Sequence, residues 1–203
     1  MLESILAFIG ATILLALSPG PDNIYVLTQG ITNGAKAGLA TTAGLITGCI
    51  VHTTLIAFGV SALIVASPKV YLAIKVVGAV YLLYLAYKVY RADSAINLSN
   101  EAERKSNTAL FKQGVIMNIL NPKVMLFFLA LFPAFLWQPE GDTVLQFYVL
   151  GSVFMVTSFV VFGAIALLAG VIASYIRKQS QLGVVLKWLQ IAVFIGIAIY
   201  ILL

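Results

Sequence analysis

The sequence has little of the chemistry that most enzymes and metal proteins use. Only 9% of its 203 residues are charged, and it contains one cysteine, Cys49, and one histidine, His52. One cysteine excludes an internal disulfide and any metal site made of several thiolates. One histidine likewise excludes a histidine-rich metal cluster. The sequence therefore predicts neither a bound metal nor a cofactor.

Hydrophobic residues, by contrast, make up 62% of the chain, and the mean hydropathy is +1.05. Soluble domains are about half apolar and about a quarter charged. A soluble core of this length could not bury so many apolar side chains, which indicates that the lipid bilayer is the solvent. The net charge of +5 does not indicate nucleic-acid binding, because the basic residues lie at the ends of apolar runs.

Six apolar runs are each long enough for a transmembrane helix, which needs about 20 residues. They cover residues 4–32, 37–66, 70–90, 109–137, 143–174 and 182–203. The first run carries Glu3 and no preceding Lys or Arg, so we expect a membrane span there and not a cleavable signal.

The hydrophilic stretch 91–108 divides these runs into two halves of three spans each. We expect it to be a loop with a short surface helix. The fold class predicted is an all-α membrane protein with a single domain, residues 1–203. That domain would consist of a first repeat (1–90), the linker (91–108) and a second repeat (109–203).

Basic residues are concentrated on alternate connections between the spans. Those at the first, third and fifth connections are Lys36, Lys88, Arg91, Arg104, Lys105, Lys112, Arg177, Lys178 and Lys187. The second and fourth connections have only Lys69 and Lys75. Because Lys and Arg are retained in the cytoplasm, the linker 91–108 is predicted to be cytoplasmic and both termini to face outward.

Spans one and four each contain proline near their midpoint, in SPGPD (18–22) and NPK (121–123). Proline removes a backbone donor and clashes with the preceding turn, so each motif should interrupt its helix. The residues assigned to these helix breaks are Ser18, Pro19, Gly20, Pro21 and Pro122. Irregular backbone at membrane depth is tolerated only inside protein or beside a water-filled cavity.

The two halves can be overlaid on each other. The triplet Leu17-Ser18-Pro19 falls on Leu120-Asn121-Pro122 at an offset of 103 residues. Three spans in each half make the second half inverted relative to the first. Two interrupted helices at corresponding places in inverted repeats are typical of a transporter whose site lies between the breaks.

Asp22 and Lys123 are ionisable residues close to the two breaks. A charge at the centre of the bilayer is costly, so each is expected to be paired or functional. One interpretation is a structural ion pair that joins the halves. The other is that one or both residues meet a zwitterionic substrate or a proton. The helix N-termini after Pro21 and Pro122 would also present backbone N–H groups to a carboxylate.

His52 follows Ala40, Gly44 and Gly48 at intervals of four residues, which places all of them on one helix face. Small residues at that spacing allow close helix packing, so we expect His52 to face protein. It is either a hydrogen-bonded packing residue or part of a proton relay. The glycines could pack within one chain or between two, so a homo-oligomer is possible.

Three asparagines lie close to the breaks: Asn23, Asn118 and Asn121. Each either satisfies backbone groups that the breaks leave unpaired or binds substrate.

Three segments together carry a family resemblance: SPGPD at 18–22, AGLATTAGLITG at 37–48 and NILNPKVMLFFLALFPAF at 118–135. With the six-span layout and the polar central loop, they make essentially the whole chain similar to the LysE/RhtB family of bacterial amino-acid exporters. SPGPD or NPK alone would be a weak signal, but both in this order make a specific signature.

The resemblance implies efflux of amino acids or close derivatives across the bacterial inner membrane, driven by the proton gradient. The partners implied are a small-molecule substrate, protons and the lipid bilayer. Cargo in the family ranges over basic amino acids, threonine, homoserine lactone-like compounds, leucine and cysteine. The signature maps here onto Pro19, Gly20, Pro21, Asp22, Asn121, Pro122 and Lys123. Distant relatives export heavy metals, which one Cys and one His support poorly.

The hypothesis from the sequence is a secondary exporter with alternating access, in which the cargo ammonium meets Asp22 and its carboxylate meets Lys123 or helix N–H groups. Two other classes stay open. An intramembrane enzyme is disfavoured because an aspartyl protease needs two aspartates and an HExxH metalloprotease needs two histidines. An uncoupled channel is compatible with the residues, since broken helices also line channels.

Overall fold

Helices make up the regular secondary structure of this computed structural model. It describes residues 1–18, 20–93, 103–178 and 181–202, except for the side chains at 65, 66, 122, 123, 177 and 178. No strand occurs within those ranges, which confirms the all-α class. The short surface helix expected in the linker, residues 91–108, falls mostly outside the described residues.

The described helices follow one another with short connections. They are α1 (Leu2–Leu17), α2 (Pro21–Asn33), α3 (Ala35–Gly59), α4 (Ser61–Ala66), α5 (Pro68–Arg91), α6 (Asn107–Leu120), α7 (Pro122–Leu131), a 3-10 turn (Phe132–Phe135), α8 (Thr143–Leu167), α9 (Ala169–Lys178) and α10 (Leu182–Leu202).

Four segments are long and apolar enough to cross a membrane unaided: Ala35–Ile64, α5, α8 and α10. Two further pairs, Leu2–Leu17 with Pro21–Asn33 and Asn107–Leu120 with Val124–Phe135, raise the number to six if each bent pair is one span. The predicted apolar runs therefore coincide with helices. The fifth differs, because the continuous run 143–174 is interrupted at Leu168, where the backbone leaves helical geometry. No proline marks that interruption.

Both predicted breaks occur at the proline motifs. The first helix stops at Leu17, and α2 starts at Pro21 after an extended Gly20. The second pair is separated only by Asn121, and α7 starts at Pro122. Proline is well suited to a first helical position because its missing N–H would have no partner there. The two halves of each pair are bent by 61° and 58°.

Contacts between distant segments show which connections share a face of the helix bundle. Asn33 donates to the carbonyl of Glu103 at 3.4 Å, and Lys187 donates to the carbonyl of Ala92 at 2.7 Å. The first, third and fifth connections, which carry most of the basic residues, therefore lie on one face, which we call the basic face. On the opposite face, the Tyr71 hydroxyl donates to the Pro133 carbonyl at 2.9 Å.

The buried apolar side chains form two clusters of very different size. The larger contains Phe8, Phe128 and Phe132, whose rings pack edge-on or stacked within 5.2 Å of one another in two pairs. The smaller lies nearer the basic face and has only Val26, Leu45 and Ala166 fully buried. Burial of apolar side chains is thus concentrated toward the face opposite the basic face.

Close packing of α3 on α6 depends on glycine. A Cβ atom at Gly44 would overlap the backbone carbonyl of Phe111, and one at Gly48 would lie 2.7 Å from the Asn118 side chain. From the other helix, a Cβ at Gly114 would lie 2.6 Å from the Thr41 carbonyl oxygen. Small residues let helix backbones approach in this way. Gly44 and Gly48 therefore pack within the chain.

We expect Gly44→Ala to destabilise the protein, because the new methyl group meets a backbone carbonyl that cannot move aside. Overpacking of this kind costs about 1–3 kcal/mol. The matched control is Gly10→Ala, since a Cβ at Gly10 has no atom within 4 Å and alanine favours a helix over glycine by about 0.5–1 kcal/mol. Thermal unfolding in detergent should show a lower Tm for Gly44→Ala only. Equal Tm values for both variants would contradict the packing described.

Candidate functional site

The structure brings the two helix breaks together. The side-chain amide of Asn121, at the second break, donates to a carboxylate oxygen of Asp22, at the first, over 3.5 Å. The two residues are 99 positions apart in sequence, and both are partly buried. The helix ends that the prolines create therefore face each other across a short distance.

A cavity of about 100 Å³ lies between the breaks. The polar residues that line it are Ser18, Asp22, Asn23, Cys49, Asn118, Asn121 and Ser158. Aromatic side chains close other parts of its wall, namely Phe127, Phe154, Phe162 and Phe194. Leu45 and Phe162 connect it to the smaller apolar cluster, and Cys49 and Phe127 connect it to the larger one. The cavity thus separates the two clusters.

Asn23 repairs the first break. Its side-chain amide donates to the carbonyl of Ala16, in the last turn of α1. That carbonyl has lost its helical partner because the chain turns away after Leu17, and an unpaired carbonyl at membrane depth is costly. Asn23 thus makes the backbone contact expected of one interpretation; it also lines the cavity, so its role in substrate binding stays a prediction.

His52 hydrogen-bonds the backbone at the second break. Its Nε2 lies 3.0 Å from the carbonyl oxygen of Asn118, which also accepts the backbone N–H of Asn121 at 3.1 Å. A carbonyl can only accept, so Nε2 carries the hydrogen in this contact. The ring is 2% exposed and packs 5.6 Å from Phe128. His52 faces protein as predicted, but it is not among the described residues that line the cavity.

Three atoms of the cavity wall have no hydrogen-bond partner among the described residues: Ser18 Oγ, Asn118 Oδ1 and Ser158 Oγ. All three residues are less than a tenth exposed. Buried polar atoms are nearly always paired, and an unpaired one costs free energy. The cavity therefore has hydrogen-bonding capacity that the described part of the protein does not use.

Three predicted site residues lie wholly or partly outside the described part of the chain. They are Pro19 and, for their side chains, Pro122 and Lys123. The backbone of Lys123 is described as the second residue of α7, directly after the break at Asn121. The predicted pairing of Asp22 with Lys123 thus stays a prediction.

The sequence did not single out part of the cavity wall. Cys49 was noted only as the single thiol, and the residues of α8 and α10 were not assigned a role; those that line the cavity are Phe154, Ser158, Phe162 and Phe194. A signal for the α8 residues exists, because Phe154, Ser158 and Phe162 recur every four positions in an apolar span. Nothing in a single sequence, however, says that this face turns toward the breaks.

Two efflux proteins are similar to the chain over most of its length. The "Homoserine/homoserine lactone efflux protein" of Salmonella typhimurium is 35% identical over 176 residues, which are 87% of this chain and 85% of that protein. Its counterpart in Salmonella typhi has the same identity and coverage. An "Uncharacterized membrane protein" of Vibrio cholerae is 32% identical over 176 residues, covering 86% and 85% of the two chains.

No solved structure matches the chain significantly. The profile of one family, described as LysE type translocator, matches residues 13–203. This range contains both proline motifs, the cavity between them and all the predicted spans except residues 4–12 of the first. The resemblance seen in the sequence is confirmed, and the chain belongs to the LysE type translocator family.

Proposed function

We propose that this protein is a proton-coupled secondary exporter of small amino acids or their close derivatives, homoserine and its lactone among them. The observation that carries the proposal is the Asp22 carboxylate beside a cavity at which two broken helices meet. The chain belongs to a translocator family and is similar to homoserine efflux proteins. A carboxylate beside such a cavity can bind the cationic amine of a cargo of that kind.

The cargo ammonium binds the Asp22 carboxylate, and its carboxylate meets Lys123 or the first N–H groups of α2 and α7. Asn118 and Asn121 complete the polar wall. A proton that reaches Asp22 from the outer side neutralises the carboxylate and weakens its hold on the ammonium, so cargo leaves outward. Export is then driven by proton entry.

Alternating access is supported by how the halves pack. The second span of each half, α3 and α8, pack on each other, and so do the third spans, α5 and α10. Such pairing of equivalent elements is expected of two inverted three-helix repeats related by a two-fold axis in the membrane plane. The cavity lies between the larger and the smaller apolar cluster. In the transport cycle, the larger cluster closes the cavity on one side of the membrane and the smaller cluster closes it on the other, one at a time.

Asp22→Asn should abolish most pH-driven export, because it removes both the charge that binds the ammonium and the group that takes the proton. A hydrogen bond to a charged group contributes about 1.5–3 kcal/mol, so we expect at least about a tenfold fall in flux. The measurement is efflux of labelled homoserine from proteoliposomes with an acidic exterior.

The matched control is Glu140→Gln, which neutralises an exposed carboxylate on the fourth connection and should leave flux unchanged. Full pH-driven efflux by Asp22→Asn would remove the role assigned to Asp22. Wild-type flux that ignores the imposed pH gradient would instead favour an uncoupled channel.

Lys123→Gln should distinguish homoserine from homoserine lactone, since the lactone keeps the ammonium but has no carboxylate. We expect homoserine export to fall about tenfold, as for loss of a charged hydrogen bond, and lactone export to change little. Initial rates for the two compounds in the same proteoliposomes give the ratio. Lys112→Gln, on the exposed surface of α6, is the control. Equal losses for both compounds would show that Lys123 has a structural role.

The basic face is cytoplasmic in this proposal, and both termini face the outer side of the inner membrane. In a Cys49→Ala background, Glu140→Cys should react with a membrane-impermeant maleimide added to spheroplasts, and Thr108→Cys only after lysis. Both positions are exposed, so labelling depends on the side of the membrane. The reverse labelling pattern would overturn the orientation.

A further inference from the structure

One wall of the cavity is a single face of α8. Phe154, Ser158 and Phe162 are four residues apart, so they lie above one another on that helix, and all three line the cavity. The face carries one hydroxyl between two aromatic rings.

Among the described helical hydroxyls that are buried without a hydrogen-bond partner, Ser158 is the one on the cavity wall. Several other helical hydroxyls donate to the carbonyl one turn earlier, as Thr12 does to Phe8 at 2.7 Å and Ser152, on α8 itself, does to Tyr148 at 2.8 Å. Thr32, Thr53 and Ser61 are unpartnered like Ser158, but they are not among the described residues that line the cavity. Ser158 is 2% exposed, yet its Oγ has no partner among the described residues. Its hydroxyl is therefore free to bind a molecule in the cavity, and burial makes an unpaired hydroxyl costly.

Packing on both sides holds the aromatic rings of this face in place. Phe154 lies 4.8 Å from Phe128, edge-on, in the larger apolar cluster. Phe162 packs against the smaller cluster, which contains Val26. A cavity of about 150 Å³ holds a benzene molecule, so a volume of about 100 Å³ suits a side chain smaller than a benzene ring.

We propose that Phe154, Ser158 and Phe162 form the subsite for the cargo side chain, in which Ser158 Oγ hydrogen-bonds a terminal side-chain oxygen. This rests on the proposed function, in which Asp22 holds the amine of the same molecule. The cargo class selected is a small amino compound with one oxygen at the end of a short side chain, either a hydroxyl or a ring oxygen. The two phenylalanines exclude water and larger side chains.

The test compares homoserine with norvaline, which has a methyl group in place of the hydroxyl. Both keep the same amine and carboxylate, so only the side-chain contact differs. Wild type should export homoserine in preference to norvaline, and Ser158→Ala should reduce that ratio about threefold to tenfold, as for loss of one neutral hydrogen bond. Ser152→Ala, on the same helix but bonded to its own backbone, should leave the ratio unchanged.

Two further measurements separate a binding role from a folding defect. Ser158→Thr keeps the hydroxyl and should keep the preference for homoserine. Cys49 lines the same cavity and is the single cysteine of the chain, so cargo that binds should slow its alkylation. Homoserine should protect Cys49 better than norvaline does in wild type, and the two should protect equally in Ser158→Ala.

The outcomes distinguish this subsite from the exporter itself. If Ser158→Ala exports both compounds at the wild-type rates, so that the ratio of homoserine to norvaline export is unchanged, the subsite is wrong and the exporter proposal stands. If Ser158→Ala lowers the export rates of homoserine and norvaline by the same factor, Ser158 binds the shared carboxylate or supports the fold, and the subsite is again wrong. If wild type exports neither compound, both proposals fail.

Discussion

This structure depends on one constraint. Two helices stop at membrane depth, and the backbone N–H and carbonyl groups at their ends must all find hydrogen-bond partners. Hydrocarbon offers no hydrogen bonds, so each carbonyl freed by a proline must find a partner within the protein. Asn23 supplies one for Ala16, and His52 and the Asn121 N–H both reach the carbonyl of Asn118. The side chain of Asn121 also bonds the Asp22 carboxylate at the first break, so the two repaired helix ends lie beside each other and line the polar cavity.

Glycine makes this repair possible at the second break. His52 reaches Asn118 only because α3 approaches α6 closely, and that approach depends on Gly44 and Gly48 having no side chain. In lipid, close packing of small residues replaces the hydrophobic force that assembles soluble helices. The residues at four-residue spacing from Ala40 to His52 thus act together, because the glycines bring His52 within reach of Asn118.

The position of each break and the approximate extent of each span were predictable, because both follow from local chemistry. Proline interrupts a helix wherever it occurs, and a run of apolar residues needs lipid or a core around it. The interruption at Leu168 was not predictable, since it has no proline and arises where α9 packs on α2. The sequence also raised alternatives for Asn23 and Gly44, and only the structure gave the contacts that Asn23 makes with Ala16 and Gly44 makes with Phe111.

By itself, the sequence determined that this is a membrane protein of the translocator family with two proline-broken helices and an aspartate at one of them. These properties depend on residues close together in the chain, or on composition. Only the tertiary structure decided that Asp22 faces Asn121, that His52 lies behind the cavity and not in it, and that Ser158 lines its wall. Those facts depend on how distant helices are rotated and packed, and helical periodicity fixes which residues share a face but not which neighbour that face meets.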